Sequence, residues 1–261
     1  MEVGVALELE KDKNELIIEA SLLAGKIMLE NGAETSRVED TMERIIRNAL
    51  GDKKGDRPYT YVTVNGLFAR LEHGGTNFVR IDTRSFDMDK ITKVNQLSRS
   101  FAENTITLID MFAELKMIEK EKMSIPLILK MVCTMGLSGS VMMIFGGHFI
   151  NLPAAMIAGL VAYTIYLLAW KYVRVPFLSE YAGAFLGGIS GYLVSLVVGD
   201  QIDLIMVGAV VPLVPGITIT NAIRDIMAMH YLSGLIRAIE GICIAGALGA
   251  GIATVYYIFI I

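Results

Sequence analysis

The chain has 261 residues, 54% of them hydrophobic and 19% charged, with a mean hydropathy of +0.54 and a formal net charge of −4. A soluble domain usually carries about a quarter charged residues, so the composition argues against a wholly soluble enzyme, and the lack of a basic block argues against nucleic acid as a partner. Charge is also unevenly divided: residues 1–124 hold 18 of the 23 Lys and Arg and 22 of the 27 Asp and Glu. This split predicts an α/β cytoplasmic N-terminal domain over 1–124 and an all-α polytopic membrane bundle over 125–261.

The acidic, amphipathic start MEVGVALELEKDKNEL predicts no cleavable signal peptide. Residues 12–50 read as helix, with Leu16, Ala20, Leu23 and Ile27, then Val38, Met42, Ile45 and Ile46, recurring at helical spacing. Asn31-Gly32-Ala33-Glu34-Thr35-Ser36 breaks the run: Gly32 stops one helix and Thr35 or Ser36 caps the next. Strand-type alternation follows at Tyr59–Val64, Leu67–Leu71 and Phe78–Ile81, with a hairpin turn expected at His73-Gly74-Gly75-Thr76. One long helix is expected from Asp87 to about Glu121. No nucleophile motif, phosphate loop or metal spacing occurs, so no catalytic residue, metal or cofactor is assigned. Glu34, Thr35, Arg37, Arg80 and Arg84 form a possible soluble-domain site, although a capped helix start and a solvated strand face account for the same residues.

A membrane span needs about 20 mostly apolar residues. Five stretches qualify, near 125–146, 152–170, 179–199, 202–223 and 234–261. Lys116, Lys120, Lys122, Lys171, Arg174 and Arg224 all fall on one side if the N-terminus is cytoplasmic and the C-terminus outside, while the joints GGHFINLP and GDQID carry no cation. Cys133 and Cys243 lie in apolar runs and read as buried hydrophobes. Gly183, Gly187, Gly191, Ser195 and Gly199 form a small-residue stripe on span three, and Gly241, Ala245, Gly249 and Ala253 one on span five. Each serves helix packing, a sliding face, or a partner.

Span four contains Pro212-Leu213-Val214-Pro215-Gly216. Proline lacks an N–H and clashes with the preceding turn, so the helix is expected to break, and broken helices build substrate sites in secondary transporters. The half-helix after Gly216 would offer its N-terminus to a carboxylate; a packing kink is the plainer reading. The substrate-binding candidates are Pro212, Pro215, Gly216, Thr218, Asn221, Arg224, Arg237 and Glu240. Arg237 and Glu240 are placed to neutralise each other on one helical face or, alternatively, Arg237 faces a cavity. Arg224 and Asp225 are expected to cap the inner end of span four. Glu180, opening span three, is a candidate proton-coupling carboxylate.

Met28-Leu29-Glu30-Asn31-Gly32-Ala33-Glu34-Thr35-Ser36-Arg37-Val38-Glu39 resembles the N-terminal signature of the threonine/serine exporter family, as do Val79-Arg80-Ile81-Asp82-Thr83-Arg84 and Asp89–Asn95. Pro212–Gly216 with Asn221, Arg224, Asp225, Ser233-Gly234, Arg237 and Glu240 resembles the family's second signature. The resemblance implies export of small amino acids or dicarboxylates such as succinate across the cell (inner) membrane. It also implies the long subunit of a split exporter, completed by a short membrane subunit or by homo-oligomerisation. A membrane-anchored hydrolase using the soluble domain and a regulatory subunit of a transport complex are the alternatives.

Overall fold

The computed structural model describes residues 2–51, 58–71, 76–122 and 125–259, with side chains described from Lys13 onward. The expected turn residues His73, Gly74 and Gly75 lie outside the described residues. Two compact units result: 1–123 together with 217–238, and 124–216 together with 239–261. The first unit therefore draws a segment from within the apolar half of the sequence.

In the first unit, α1 (Glu2–Glu30) and α2 (Thr35–Leu50) pack together and against a small sheet. The strands β1 (Tyr59–Thr63), β2 (Gly66–Arg70) and β3 (Thr76–Arg80) pair antiparallel in that order. The register is Tyr59↔Arg70 and Thr63↔Gly66, then Gly66↔Arg80 and Arg70↔Thr76. Alternation along β1 and β2 turns Val62, Leu67 and Ala69 into the core with Ile27, Met28, Val38, Met42, Ile45 and Ile46. Gly25 permits this packing, since a Cβ there would lie 2.6 Å from the Met42 sulfur. The outer face exposes Tyr59, Tyr61, Phe68 and Phe78.

The single helix expected over 87–121 is two helices, α3 (Met88–Ala102) and α4 (Leu108–Lys120). Asn104 takes a left-handed φ of 57°, which ends the first. A capping box starts the second: the Thr107 hydroxyl accepts from Asp110 N–H, and the Asp110 carboxylate accepts from Thr107 N–H. Periodicity alone ran the two together, because Ile106 and Leu108 keep the apolar pattern going across the break.

The second unit holds α5 (Leu127–Ile144), α6 (Leu152–Tyr172), α7 (Leu178–Ser195), α8 (Ile202–Val210) and most of α10 (Tyr231–Phe259). Among the described residues, α5, the run Phe149–Tyr172 and α10 are long and apolar enough to cross a membrane, and the interrupted pair Ile202–Leu213 and Gly216–Met227 makes a fourth if counted as one span. The stretch expected as span three is helical as α7, but Gly183, Gly187, Gly188, Gly191, its serines and Glu180 lower its apolarity. Large apolar side chains point outward, as Ile128 (76% exposed) and Ile144 (80%) do. Cys133 and Cys243, expected buried, share that outward placement: both are free and exposed, because an apolar run does not show which face of its helix meets a neighbour.

The stripe on α7 serves packing within the unit. A Cβ at Gly187 would lie 2.5 Å from Ala162 Cβ, and one at Gly191 would lie 3.2 Å from Ala158 Cβ. The stripe on α10 does not do the same, since Ala245, Gly249 and Ala253 are exposed and a Cβ at Gly249 would meet nothing within 4 Å. Gly251 makes the approach instead, 2.8 Å from the Tyr181 carbonyl. The two cation-free joints meet: the Asn151 amide donates to Asp200 (3.0 Å) and Gln201 (2.9 Å) and accepts from Asp200 N–H (2.9 Å). This is the side-sharing expected of joints that alternate across a bundle.

The apolar run of α8 stops at the prolines. Val211–Leu213 is a single 3-10 turn, Val214 is extended (φ −63°, ψ 129°), and α9 (Gly216–Met227) begins after Pro215. The helix expected to break at Pro212–Gly216 is broken there.

Candidate functional site

The site lies in the first unit, where α1 gives way to α2. Helix α1 ends in a Schellman turn: Gly32 has φ 93°, its N–H donates to Leu29 O, and Ala33 N–H donates to Met28 O at 3.0 Å. Helix α2 then starts at Thr35, with Glu34 as an N-cap residue whose own side chain makes no capping bond. An α-helix leaves its first N–H groups unpaired, and the sequence offered Thr35 or Ser36 to satisfy them. The structure uses Asp225 instead. Its Oδ1 accepts from Thr35 N–H at 2.9 Å and its Oδ2 from the Thr35 hydroxyl at 3.0 Å. A carboxylate here also meets the positive end of the α2 dipole.

Asp225 is fully buried, so it needs a counter-charge. Arg237 provides it, with Nε 3.4 Å from Asp225 Oδ2 and an Nη2 that donates to Ala33 O at 2.8 Å. Asn221, one turn before Asp225 on the same face of α9, donates from Nδ2 to Gly32 O at 2.9 Å. Two carbonyls of the α1–α2 loop and the first N–H of α2 are thus held by α9 and α10. At the rim, Arg224 pairs with Glu34, its side chain 63% exposed. His230 Nε2 stands 3.4 Å from Glu39 Oε2, and burial pushes the Glu39 carboxyl above its ordinary range while His230 pulls it down.

The turn from α9 to α10 is equally specific. Met229 adopts φ 65°, and His230 N–H donates to Asp225 O at 2.8 Å. A Cβ at Gly234 would stand 2.9 Å from Ala222 O and 3.0 Å from Ile226 N, so only glycine lets the two helices close. That approach sets Arg237, one turn further along α10, against Asp225.

Over residues 19–259 the sequence matches the family model described as "Putative threonine/serine exporter". The chain belongs to that family. No curated protein and no solved structure matches it. The exporter family's resemblance was carried by two separate signatures, and in this family member residues of both form one hydrogen-bonded cluster.

Candidates assigned to two different sites therefore sort differently. Glu34 and Thr35 from the first group join Asn221, Arg224 and Arg237 from the second. Arg37 is exposed on α2, Arg80 pairs with Asp82 at 2.7 Å, and Arg84 donates to Asn65 at 2.6 Å, so these three serve other parts of the unit. Thr218 is half-buried near the start of α9. Pro212, Pro215, Gly216 and Glu240 belong to the second unit. Asp225, expected only as a cap for its own helix, is the cluster's centre. The backbone groups held in the cluster, the Thr35 N–H by Asp225 and the Gly32 and Ala33 carbonyls by Asn221 and Arg237, carry no side-chain signal; an Asp in an otherwise apolar stretch is the available hint.

Proposed function

We propose that this chain is the long subunit of a secondary transporter that exports threonine and serine, with five membrane spans, a cytoplasmic N-terminus and its C-terminus outside the cell membrane. The observation that carries the reading is the interrupted apolar helix at Pro212–Pro215, in a chain of the exporter family whose other apolar helices suit a multi-pass membrane protein. Substrate binds at this interruption, where Pro212 and Pro215 bring no N–H to continue the helix and Gly216 and Thr218 open the next one. Fifth-span duty falls to α7, whose glycines fit a helix packed on protein rather than facing lipid.

The cluster anchors α9 immediately after the interruption, so bending during transport is concentrated at the prolines. Its charge balance favours a zwitterion over a dicarboxylate: within the cluster, among the described residues, Arg237 already faces Asp225 and Arg224 already faces Glu34, which leaves no pair of cations there for two carboxylates. A short membrane subunit, or further copies of the chain, completes the pathway.

The test is efflux of threonine, serine and succinate from proteoliposomes containing the purified chain, with and without a short membrane subunit. Protein-dependent release of the two amino acids, fastest with the second subunit, is expected. Release of neither amino acid in any combination overturns the reading, and faster release of succinate overturns the charge-balance preference.

A further inference from the structure

The second unit buries one carboxylate deeply. Glu180 on α7 is 7% exposed, and its Oε2 has no hydrogen-bond partner among the described residues. The neighbouring Ser179 hydroxyl is buried and unpartnered in the same way. Other charged groups of this unit are better provided for. Asp200 is bonded by Asn151, Asp203 accepts from Tyr256, and Lys171 is exposed over the Tyr172 ring. A buried polar atom without a partner is costly unless something comes to satisfy it. Packing gives no reason for an acid here, since the adjoining cluster is Ala162, Ala184, Leu213 and Leu248.

Its position gives one. Glu180 precedes Gly183 by three residues and so shares its face of α7. A Cβ at Gly183 would lie 2.9 Å from Leu213 Cδ1 and 3.3 Å from Tyr166 Cβ. Leu213 is the residue between the two prolines' turns, so the acid's face of α7 borders the interruption in the apolar run. The Tyr166 phenol on α6 is within electrostatic reach of Glu180, with Tyr163 beside it. Among the described residues of this unit, the remaining titratable groups on the helices packed around α7 are Asp203 on α8, bonded to Tyr256 of α10, and Glu240, Cys243 and Tyr257 on α10.

We propose that Glu180 is the group that binds and releases the coupling proton during export. The inference rests on the transport reading above and adds the residue that links the two fluxes. On one side of the membrane a proton forms an O–H bond at Glu180 Oε2; on the other that bond breaks and the carboxylate is regenerated. No other bond changes and no co-reactant is needed. The interruption beside it supplies the place where a polar path reaches the acid, and Tyr166 supplies a hydroxyl on the way.

Two assays on the full chain in proteoliposomes, with the short subunit present, separate this claim from its premise. Threonine counterflow at equal pH reports binding and the conformational cycle without net proton movement. Threonine movement under an imposed pH gradient reports coupling. The wild type performs both. Glu180→Gln, which keeps size and neutrality, retains counterflow and loses the pH-driven component, while Glu180→Asp retains both with a shifted pH dependence. A Gln variant driven by the gradient as well as the wild type overturns the proposal. So does parallel loss of both activities in a monodisperse Gln variant, which marks a packing role. Should the Gln variant fail to fold, an Asp variant with an unmoved pH profile overturns it. Absence of counterflow in the wild type removes the transport reading itself, and this inference with it.

Discussion

The two units of this molecule bury opposite kinds of side chain. In the first, the core is large: Ile17, Ile27, Met28, Met42, Ile45, Ile46 and Leu67 are all almost wholly buried. In the second, the helix contacts are made by Ala154, Ala158, Gly187, Gly191 and Gly251, and the large residues Ile128, Ile144, Phe149 and Val197 face out. Water drives the first arrangement, because apolar area removed from it is the main source of stability. An arrangement that turns its large apolar side chains outward has no such gain, so close backbone approach takes its place in the second unit. Removing atoms should therefore damage the first unit, and adding them should damage the second.

The largest expected effect concerns the charged cluster, where neither rule applies. Asp225→Ala leaves Arg237 buried without its carboxylate and the first N–H of α2 without its cap, and should cost about 4 kcal/mol in thermal unfolding of the purified chain. Met42→Ala comes next, with a cavity cost of about 3 kcal/mol measured the same way. In the second unit the sign of the size change reverses. Gly187→Val drives a side chain into Ala162 and should cost about 2 kcal/mol, whereas Ile144→Ala, deleting far more than a methyl from an outward face, should change stability by less than about 0.5 kcal/mol. Equal losses for Ile144→Ala and Met42→Ala would erase the distinction between the units.

The smallest effect is a pH dependence at the joint between α7 and α8. The Asn151 amide, helped by His148, holds the Asp200 carboxyl below its ordinary range. A depressed carboxyl adds stability above its unfolded pKa and loses it as pH falls through the folded value. Asn151→Ala should therefore lower the thermal midpoint at neutral pH, leave it nearly unchanged in acid, and so flatten the acid-side decline. An unchanged slope would mean that the joint's bonds are not formed in solution.

Much of the fold was legible because its signals are local. Helical spacing from Leu16 to Ile46, the Gly32 stop and the three alternating strands each report on neighbours a few residues away, and each appears where expected; of the five apolar runs, three are helices long and apolar enough to cross a membrane among the described residues, or four with the interrupted pair. Pro212 and Pro215 announced the interruption for the same reason. The charge-bearing residues behaved otherwise. Arg237 is expected against Glu240 and Asp225 at the end of its own helix, and neither reading reaches the bonds these two make to the α1–α2 loop, because sequence shows only the partners nearby; the carboxylate that caps α2 lies 190 residues from the helix it caps. The cysteines were misplaced for a different reason: an apolar run does not show which face of its helix a neighbour occupies.

The cluster of Asp225, Arg237, Thr35 and the α1–α2 loop is the account's centre, and a double-mutant cycle between Asp225 and Arg237 tests it most directly. Thermal unfolding of the wild type, Asp225→Leu, Arg237→Leu and the double variant gives their coupling energy. A coupling above about 1 kcal/mol, with the double variant more stable than either single one, is predicted. Additive losses, within about 0.5 kcal/mol, would mean that the two charges do not meet in the folded protein.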